Sequence, residues 1–461
     1  MPLIRSISGL RGTIGDSLGP DIIVRYVAAF AQMITREGGT VVVGHDGRPS
    51  GGWIEDLVVG TLRSCGVNAR TIGMAPTPTV QLATEHSDAS GGISISASHN
   101  PSEWNGLKFL SHEGIFLDGD ECARLFGLAD AGERTLAGWA GGGSRLDAGD
   151  EIEKHCERAL ALPFVRLPEL RARRFTVVVD AVNASGSEIV PMMLERCGCR
   201  VVRLFCAGSG LFPHTPEPLP ENLTALADAV RSNGADIGIA VDPDADRLVL
   251  IDERGVPFGE EYTITQAADF VLRFERARDA ARDLRAVVNL STTRAVEDVA
   301  ARYAAQVLRT PVGEINVARA MKQTGAVIGG EGSGGVILPE LHYGRDSIAG
   351  IMILLHNLLE RGGTMSALRA ALPAYEIVKR KAALLPGTVP EEMLTGIERA
   401  RGGEAVAVRT DDGLKLDYEE AWVHLRASNT EPIIRVIAEA HTRDEAARLA
   451  DDFLGMIEHP S

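Results

Sequence analysis

The apolar residues of this chain fall in short runs, and the runs recur in one order. Val41-Val42-Val43 leads into the polar turn GHDGRPSGG, Val177-Val178-Val179 into DAVNASGS, and Val287-Val288 into NLSTTRAVEDVAARY. A helix-like segment follows each turn. Short β-branched runs bounded by turns predict buried strands, and their alternation with helices predicts parallel, helix-covered sheets. Three copies predict three α/β domains of similar build; one large doubly wound sheet is the alternative that pattern alone leaves open. The end of the chain reads differently. Strands are predicted over 422–425 and 433–440 with the turn RASNTEP between them, and DEAARLADDFLGMIEH places apolar residues at helical spacing. Strand, loop, strand and helix predict a smaller α+β domain.

A length of 461 residues exceeds what one core supports and agrees with three or four domains. The expected units are 1–148, 149–253, 254–370 and 371–461. The cuts fall near the Gly-rich AGGGS at 140–144, expected to be flexible, the turn Glu253-Arg254-Gly255, and Leu372-Pro373-Ala374. Lys and Arg number 47 and Asp and Glu 63, a net charge of −16. So acidic a surface repels nucleic acid and anionic membrane, so any phosphate must be bound by local clusters of Arg, Lys and N–H groups. Six cysteines without CxxC spacing argue against a zinc site or a disulfide framework. The N-terminus lacks an apolar signal core, and the longest apolar stretch, 348–359, is too short to span a bilayer and is broken by His356 and Asn357. A cytoplasmic location is the expectation.

Four clusters carry candidate chemistry. In SISASHNPSEWNGLKF (94–109), a strand runs into a turn holding Ser98, His99 and Asn100. A serine there, near Lys108, suits a nucleophile or phosphoryl carrier, with Lys108 serving in proton transfer if its pKa is lowered; a plain capping turn is the competing reading. Asp242, Asp244 and Asp246 follow the strand-like 237–241, and three carboxylates so close call for a cation. Hard oxygen donors point to Mg²⁺. An EF-hand loop fits Glu253 at its twelfth position but not Arg247 where glycine is needed. Gly329 to Gly335 surround Glu331 and Ser333, donors and acceptors suited to sugar hydroxyls; a flexible loop is the competing reading. Arg426, Ser428, Asn429, Thr430 and Arg435 lie within ten residues and suit a phosphate dianion. Arg11, between glycines in SGLRGT, is a weaker phosphate candidate.

Taken in order, SGLRGTIG, ASHNP, DPDADR, GEGSGG and RASNTEP resemble the α-D-phosphohexomutase family, over nearly the whole chain. The resemblance implies four domains around a central cleft. It implies that Ser98 is a phosphoserine, that Mg²⁺ is held by Asp242, Asp244, Asp246 and the Ser98 group, and that a hexose 1,6-bisphosphate is intermediate and activator. Lys108 would be an acid/base residue, and His99, Arg11 and Arg247 would support the transferring phosphate. Glu331 and Ser333 would hold the sugar, and Arg426, Ser428, Asn429, Thr430 and Arg435 the phosphate not being transferred. Many bacterial members have an acid/base His where this chain has Gly335. His342 or Arg345, with Asp346, is the expected substitute. The GEGSGG and YGRD segments look more like the phosphoglucosamine mutase branch, so glucosamine phosphate is the expected substrate, with glucose or mannose phosphates the alternative. The expected partner is a small sugar phosphate, and the expected state a monomer or homodimer. A Mg²⁺-dependent sugar phosphatase, or a non-catalytic sugar-phosphate sensor, are the rival readings.

Overall fold

The strand Thr40–His45, built on Val41, Val42 and Val43, has Asn68–Met74 on one side and Gly91–Ile95 on the other, both parallel to it; Trp104–Ser111 lies antiparallel beyond Gly91–Ile95. Thr176–Asp180 repeats this arrangement with Arg200–Leu204, Ile237–Val241 and Leu248–Ile251. Arg285–Asn289 repeats it again with Gln306–Thr310, Ile328–Glu331 and Gly335–Ile337. In this computed structural model, which describes residues 3–34, 39–384, 387–428 and 432–458, the three valine runs therefore open three separate sheets of one topology. The single large sheet is excluded. The first sheet is extended to seven strands by Ile4–Ser6, Gly9–Thr13 and Arg145–Asp147.

This repeat places the chemistry. In every unit the third strand turns back into the fourth, and the turns hold Ser98 and His99, then Asp242 to Arg247, then Gly332 to Gly334. The loops leave the carboxyl ends of parallel strands beside the point where strand order reverses, where open α/β sheets bind ligands. Two of them are joined: Arg247 and Gly335 form an isolated antiparallel bridge, and Leu248 N–H donates to Gly334 O at 2.9 Å. Thr77 N–H donates to Asp244 O at 2.9 Å, tying the first unit to the same turn.

The fourth unit is a five-stranded antiparallel sheet in the order Glu376–Ala383, Ile433–Ala440, Trp422–Ala427, Leu414–Asp417, Ala407–Arg409. The helix Arg443–Glu458 packs Ala446, Ala450, Phe453 and Ile457 against it, the helical spacing read from the sequence.

Two local expectations change. The cluster after Val327 is a hairpin, with Gly329 and Gly330 inside a strand; a side chain at Gly329 would meet Met321 Sδ at 2.2 Å. The AGGGS segment lies against the first sheet: Gly143 N–H donates to Arg63 O at 2.9 Å, and a Cβ on Gly143 would sit 2.0 Å from Val67 O. The second and third units share one continuous core. Its centre is the helix Ser347–Arg361, buried from Ser347 through Leu358, and the longest apolar run of the chain is this helix. No described helix is long and apolar enough to cross one.

Candidate active site

Ser98 sits in a turn that a buried arginine holds. Ser98 has φ 50°, a conformation uncommon for a residue with a side chain. Arg48, 1% exposed, donates from Nη1 to Pro101 O at 2.7 Å and Trp104 O at 3.0 Å, and from Nη2 to Ser98 O. Its Nε donates to Asp46 at 2.9 Å, and Asp46 also accepts from Ser96 Oγ at 2.8 Å. Ser96 Oγ in turn accepts from Ser98 N–H at 2.8 Å. The turn is thereby over-determined, which is the condition for holding a strained backbone.

From this turn the Ser98 hydroxyl donates to Asp242 Oδ2 at 2.8 Å and lies 3.3 Å from His99 Nδ1. Asp242, Asp244 and Asp246 are completely buried, and each offers an oxygen within 4.8 Å of the others. Lys108 Nζ donates to Asp244 Oδ2 at 2.5 Å and lies 3.5 Å from Asp246. Thr77 Oγ1 donates to the same Asp244 oxygen at 2.6 Å. Asp244 Oδ1 and Asp246 Oδ1 are buried without a hydrogen-bond partner among the described residues. Orphaned carboxylate oxygens are costly unless something fills them, and an all-oxygen donor set fits a hard divalent cation. Burial, then Asp246 and Asp244, push the Asp242 carboxyl well above the usual range. Burial also acts upward on Asp244, but Lys108 and Thr77 outweigh it and hold that carboxyl far below its ordinary value.

Two expectations about proton transfer change here. Burial works to lower Lys108, yet Asp244 and Asp246 outweigh it and raise its pKa; the lowered value is not met because its nearest neighbours are anions. Arg345 is held well above its usual pKa by Asp246, Glu331 and Glu314 against the effect of burial, so it does not give up a proton. It acts as a clamp, donating to Asp246 Oδ2 at 2.6 Å and Glu331 Oε2 at 2.7 Å, with Nε 3.1 Å from Glu314. His342 and Asp346 do not line the cleft. Asp346 caps the helix Ser347–Arg361 by accepting from Ile348 N–H at 2.7 Å, and this turns it inward. There it is bonded to His155 Nε2 at 2.9 Å and His342 Nε2 at 3.0 Å, and neither Asp346 nor His342 is more than 2% exposed.

All four units meet around a cavity of about 350 Å³, ample for a sugar phosphate. The first unit contributes Arg11, His99 and Lys108, the second Arg247, and the third Glu331, Ser333 and Arg345. Arg247 and burial, with Arg11, push the His99 pKa well below its ordinary value. Arg11 Nη1 donates to Asn100 Oδ1 at 3.2 Å. From the fourth unit come Arg426 and Arg435, directly opposite one another on neighbouring antiparallel strands. Facing like charges are unfavourable unless an anion lies between them, and here only Arg426 has a carboxylate, Asp412 at 2.8 Å, among the described ion pairs. Ser428 N–H closes this hairpin by donating to Ile433 O at 2.9 Å. Asn429 and Thr430 lie outside the described residues. The cleft also holds side chains that the motifs did not mark: Lys379, Glu261, Glu314 and Asn289, the last donating to Glu331 at 2.7 Å. For Asn289, as for Asp46 and Arg48, a usable signal was position, since all three lie at or just beyond the carboxyl end of the first strand of a repeat.

Comparison with known proteins follows the same order along the chain. Successive family models for phosphoglucomutase/phosphomannomutase, α/β/α domains I, II and III and the C-terminal domain, match residues 4–134, 153–255, 266–375 and 384–456. A phosphoglucomutase/phosphomannomutase of Thermococcus kodakarensis is 35% identical over 95% of this chain and 94% of its own. A probable phosphoglucosamine mutase of Methanopyrus kandleri is 32% identical over 98% and 96%. The crystal structure of a phosphoglucomutase/phosphomannomutase family protein from Burkholderia thailandensis superposes with a TM-score of 0.85 at 27% identity, covering 99% of both chains. With four domain models matched in order and a relative this similar along nearly its full length, the chain belongs to the phosphoglucomutase/phosphomannomutase family and is an enzyme of the mutase type.

Proposed function

We propose that the protein interconverts the 6- and 1-phosphates of a hexose by passing a phosphoryl group through Ser98, and that its hexose is glucosamine. The observation that carries the mechanism is the Ser98 hydroxyl 2.8 Å from Asp242, within a buried carboxylate trio and beside a cleft faced by Arg426 and Arg435. The naming of relatives such as the Methanopyrus kandleri protein supports the amino sugar.

In this reading phosphorylated Ser98 donates to the free hydroxyl of a bound hexose monophosphate, and the resulting 1,6-bisphosphate turns end for end and returns its other phosphate to Ser98. Asp242, Asp244, Asp246 and the Ser98 group would hold Mg²⁺, which when bound supplies charge neutralisation for the transferring phosphoryl group. Arg11 and Arg247 add positive charge around that group, and neutral His99 offers a hydrogen bond beside Ser98. The bond from the Ser98 oxygen to phosphorus breaks as the bond from the sugar oxygen forms, and the proton of the sugar hydroxyl ends on the Ser98 oxygen; Lys108 stays protonated and donates a hydrogen bond. Glu331 and Ser333 take sugar hydroxyls. Arg426 and Arg435, with Ser428 and the neighbouring Asn429 and Thr430, hold whichever phosphate is not reacting. A charged cradle suits this task because the two ends of the sugar must be accepted in turn. A trace of the matching 1,6-bisphosphate would phosphorylate Ser98 and so activate the enzyme.

The test is a panel of glucosamine, glucose and mannose 1- and 6-phosphates, each with and without a trace of the matching bisphosphate, on wild type and Ser98→Ala. Isomerisation by wild type, led by glucosamine phosphate and absent from Ser98→Ala, is the expected result. Release of inorganic phosphate without isomerisation would favour the hydrolase reading. Binding without either would favour the sensor.

A further inference from the structure

One buried carboxylate in the cleft has no part in the mechanism above. Glu261 lies in the first turn of the helix Glu260–Arg278 and is 9% exposed. It lines the same cavity as Glu331, Ser333 and Lys108. Its carboxyl packs against Gly332, in the centre of the sugar-facing hairpin: a Cβ on Gly332 would stand 1.8 Å from Oε2 and 2.4 Å from Oε1. Gly332 has no positive φ, so here glycine provides space, and the space is filled by Glu261. The described residues give this carboxyl one hydrogen bond, from Thr293 N–H to Oε2 at 3.0 Å.

The other buried carboxylates of the cleft are committed. Glu331 accepts from Asn289 and Arg345 at 2.7 Å each and from Gly313 N–H at 3.1 Å. Glu314 accepts from Gln81 Nε2 at 3.1 Å and from Arg345 N–H at 3.2 Å, and its other oxygen faces the Arg345 guanidinium. Glu217 is half-buried on a coil, where water screens it. Glu261 alone among these four is both buried and largely unpaired.

We infer that Glu261 receives the amino group of an amino-sugar phosphate, and so sets the preference for that substrate over its hydroxy counterpart. The inference rests on the amino-sugar reading proposed above. Burial pushes this carboxyl up to about 8, against the pull of Lys379, so it is mostly neutral while the cleft is empty. An arriving ammonium stabilises the ionised form and makes a desolvated, charge-assisted hydrogen bond. A hydroxyl in the same place gains an ordinary hydrogen bond only. The sugar presents its two ends in turn, so the amine meets Glu261 in one of two orientations; that suffices, because turnover passes through both.

The experiment compares kcat/KM for glucosamine 6-phosphate and glucose 6-phosphate on wild type and Glu261→Gln. The amide is isosteric and keeps an acceptor for Thr293 N–H. The expected result is a fall of roughly ten- to hundredfold for glucosamine 6-phosphate with less than about threefold change for glucose 6-phosphate. Equal losses on both substrates, or none on either, would overturn the assignment. Wild type that turns over glucose 6-phosphate and not glucosamine 6-phosphate would overturn the amino-sugar reading itself, and the inference with it, before any variant is made. Glu261→Asp, which keeps the charge but retracts it by one methylene, is expected to show the same selective loss and serves if Glu261→Gln does not fold.

Discussion

A side chain at position 335 and the Arg345 side chain compete for one space: a Cβ on Gly335 would lie 2.3 Å from Arg345 Cδ. Glycine at 335 is what lets Arg345 reach Asp246, Glu331 and Glu314 together. Arg345→Ala is therefore expected to lose about 3–5 kcal/mol of stability, because three buried carboxylates lose their shared cation. Gly335→Ala is expected to lose about 1–3 kcal/mol by overpacking and to lower turnover by displacing the clamp. Denaturant unfolding and steady-state kinetics check both; an Arg345→Ala protein of unchanged stability would show that the clamp contributes nothing.

The arginine pair of the fourth unit predicts an opposite pattern. Arg426 and Arg435 face one another across the strand pairing, so removing either relieves repulsion in the free enzyme. Arg435→Ala should leave the melting temperature unchanged or slightly higher. It should lower kcat/KM for every hexose phosphate by roughly ten- to hundredfold, the worth of about 1.5–3 kcal/mol from a charged hydrogen bond. A fall in melting temperature with normal kinetics would assign the pair to the fold.

Arg48 holds the Ser98 turn without lining the cleft, since its bonds go to the carbonyls of Ser98, Pro101 and Trp104 and to Asp46. Arg48→Lys keeps the charge and loses the fork. It is expected to lower kcat at least tenfold with a small effect on KM, because the substrate contacts remain and the serine geometry does not. An unchanged kcat would mean that the strained turn persists without its clamp.

Much of this arrangement was legible in the residues. The valine runs mark the first strand of each repeat, the aspartate triplet meets the SHN turn at Ser98, and His99, Arg426 and Arg435 line one cavity. What was hidden is what depends on distant partners. Arg345 meets Asp246 across 99 positions, and Lys108 meets Asp244 across 136, so the electrostatics of neither could be read locally. His342 and Asp346 neighbour Arg345 in sequence, but the helix cap at Asp346 points them into the interior while Arg345 faces the cleft. Glu261 carried no motif; only its contact with Gly332 marks it.

Glu261 also gives stability a pH dependence of known sign. Its carboxyl rises from 4.5 to about 8 on folding, chiefly through burial, with Lys379 opposing and Glu260 and Glu439 adding to the shift. The folded state binds the extra proton, so this contribution is complete below about pH 4.5 and is lost as pH climbs toward 8. Melting temperatures of the substrate-free protein at pH 5.5 and 8 should therefore differ more for wild type than for Glu261→Gln. Equal differences would mean that the side chain ionises freely.

The central claim is that the Ser98 oxygen carries the phosphoryl group. Peptide mass spectrometry of protein incubated with a hexose 1,6-bisphosphate, before and after a chase with hexose monophosphate, tests it most directly. One phosphoryl group on the peptide containing Ser98, appearing with the bisphosphate and removed by the chase as new bisphosphate forms, is the predicted result. An unmodified Ser98 throughout, while isomerisation proceeds at full rate, would contradict it.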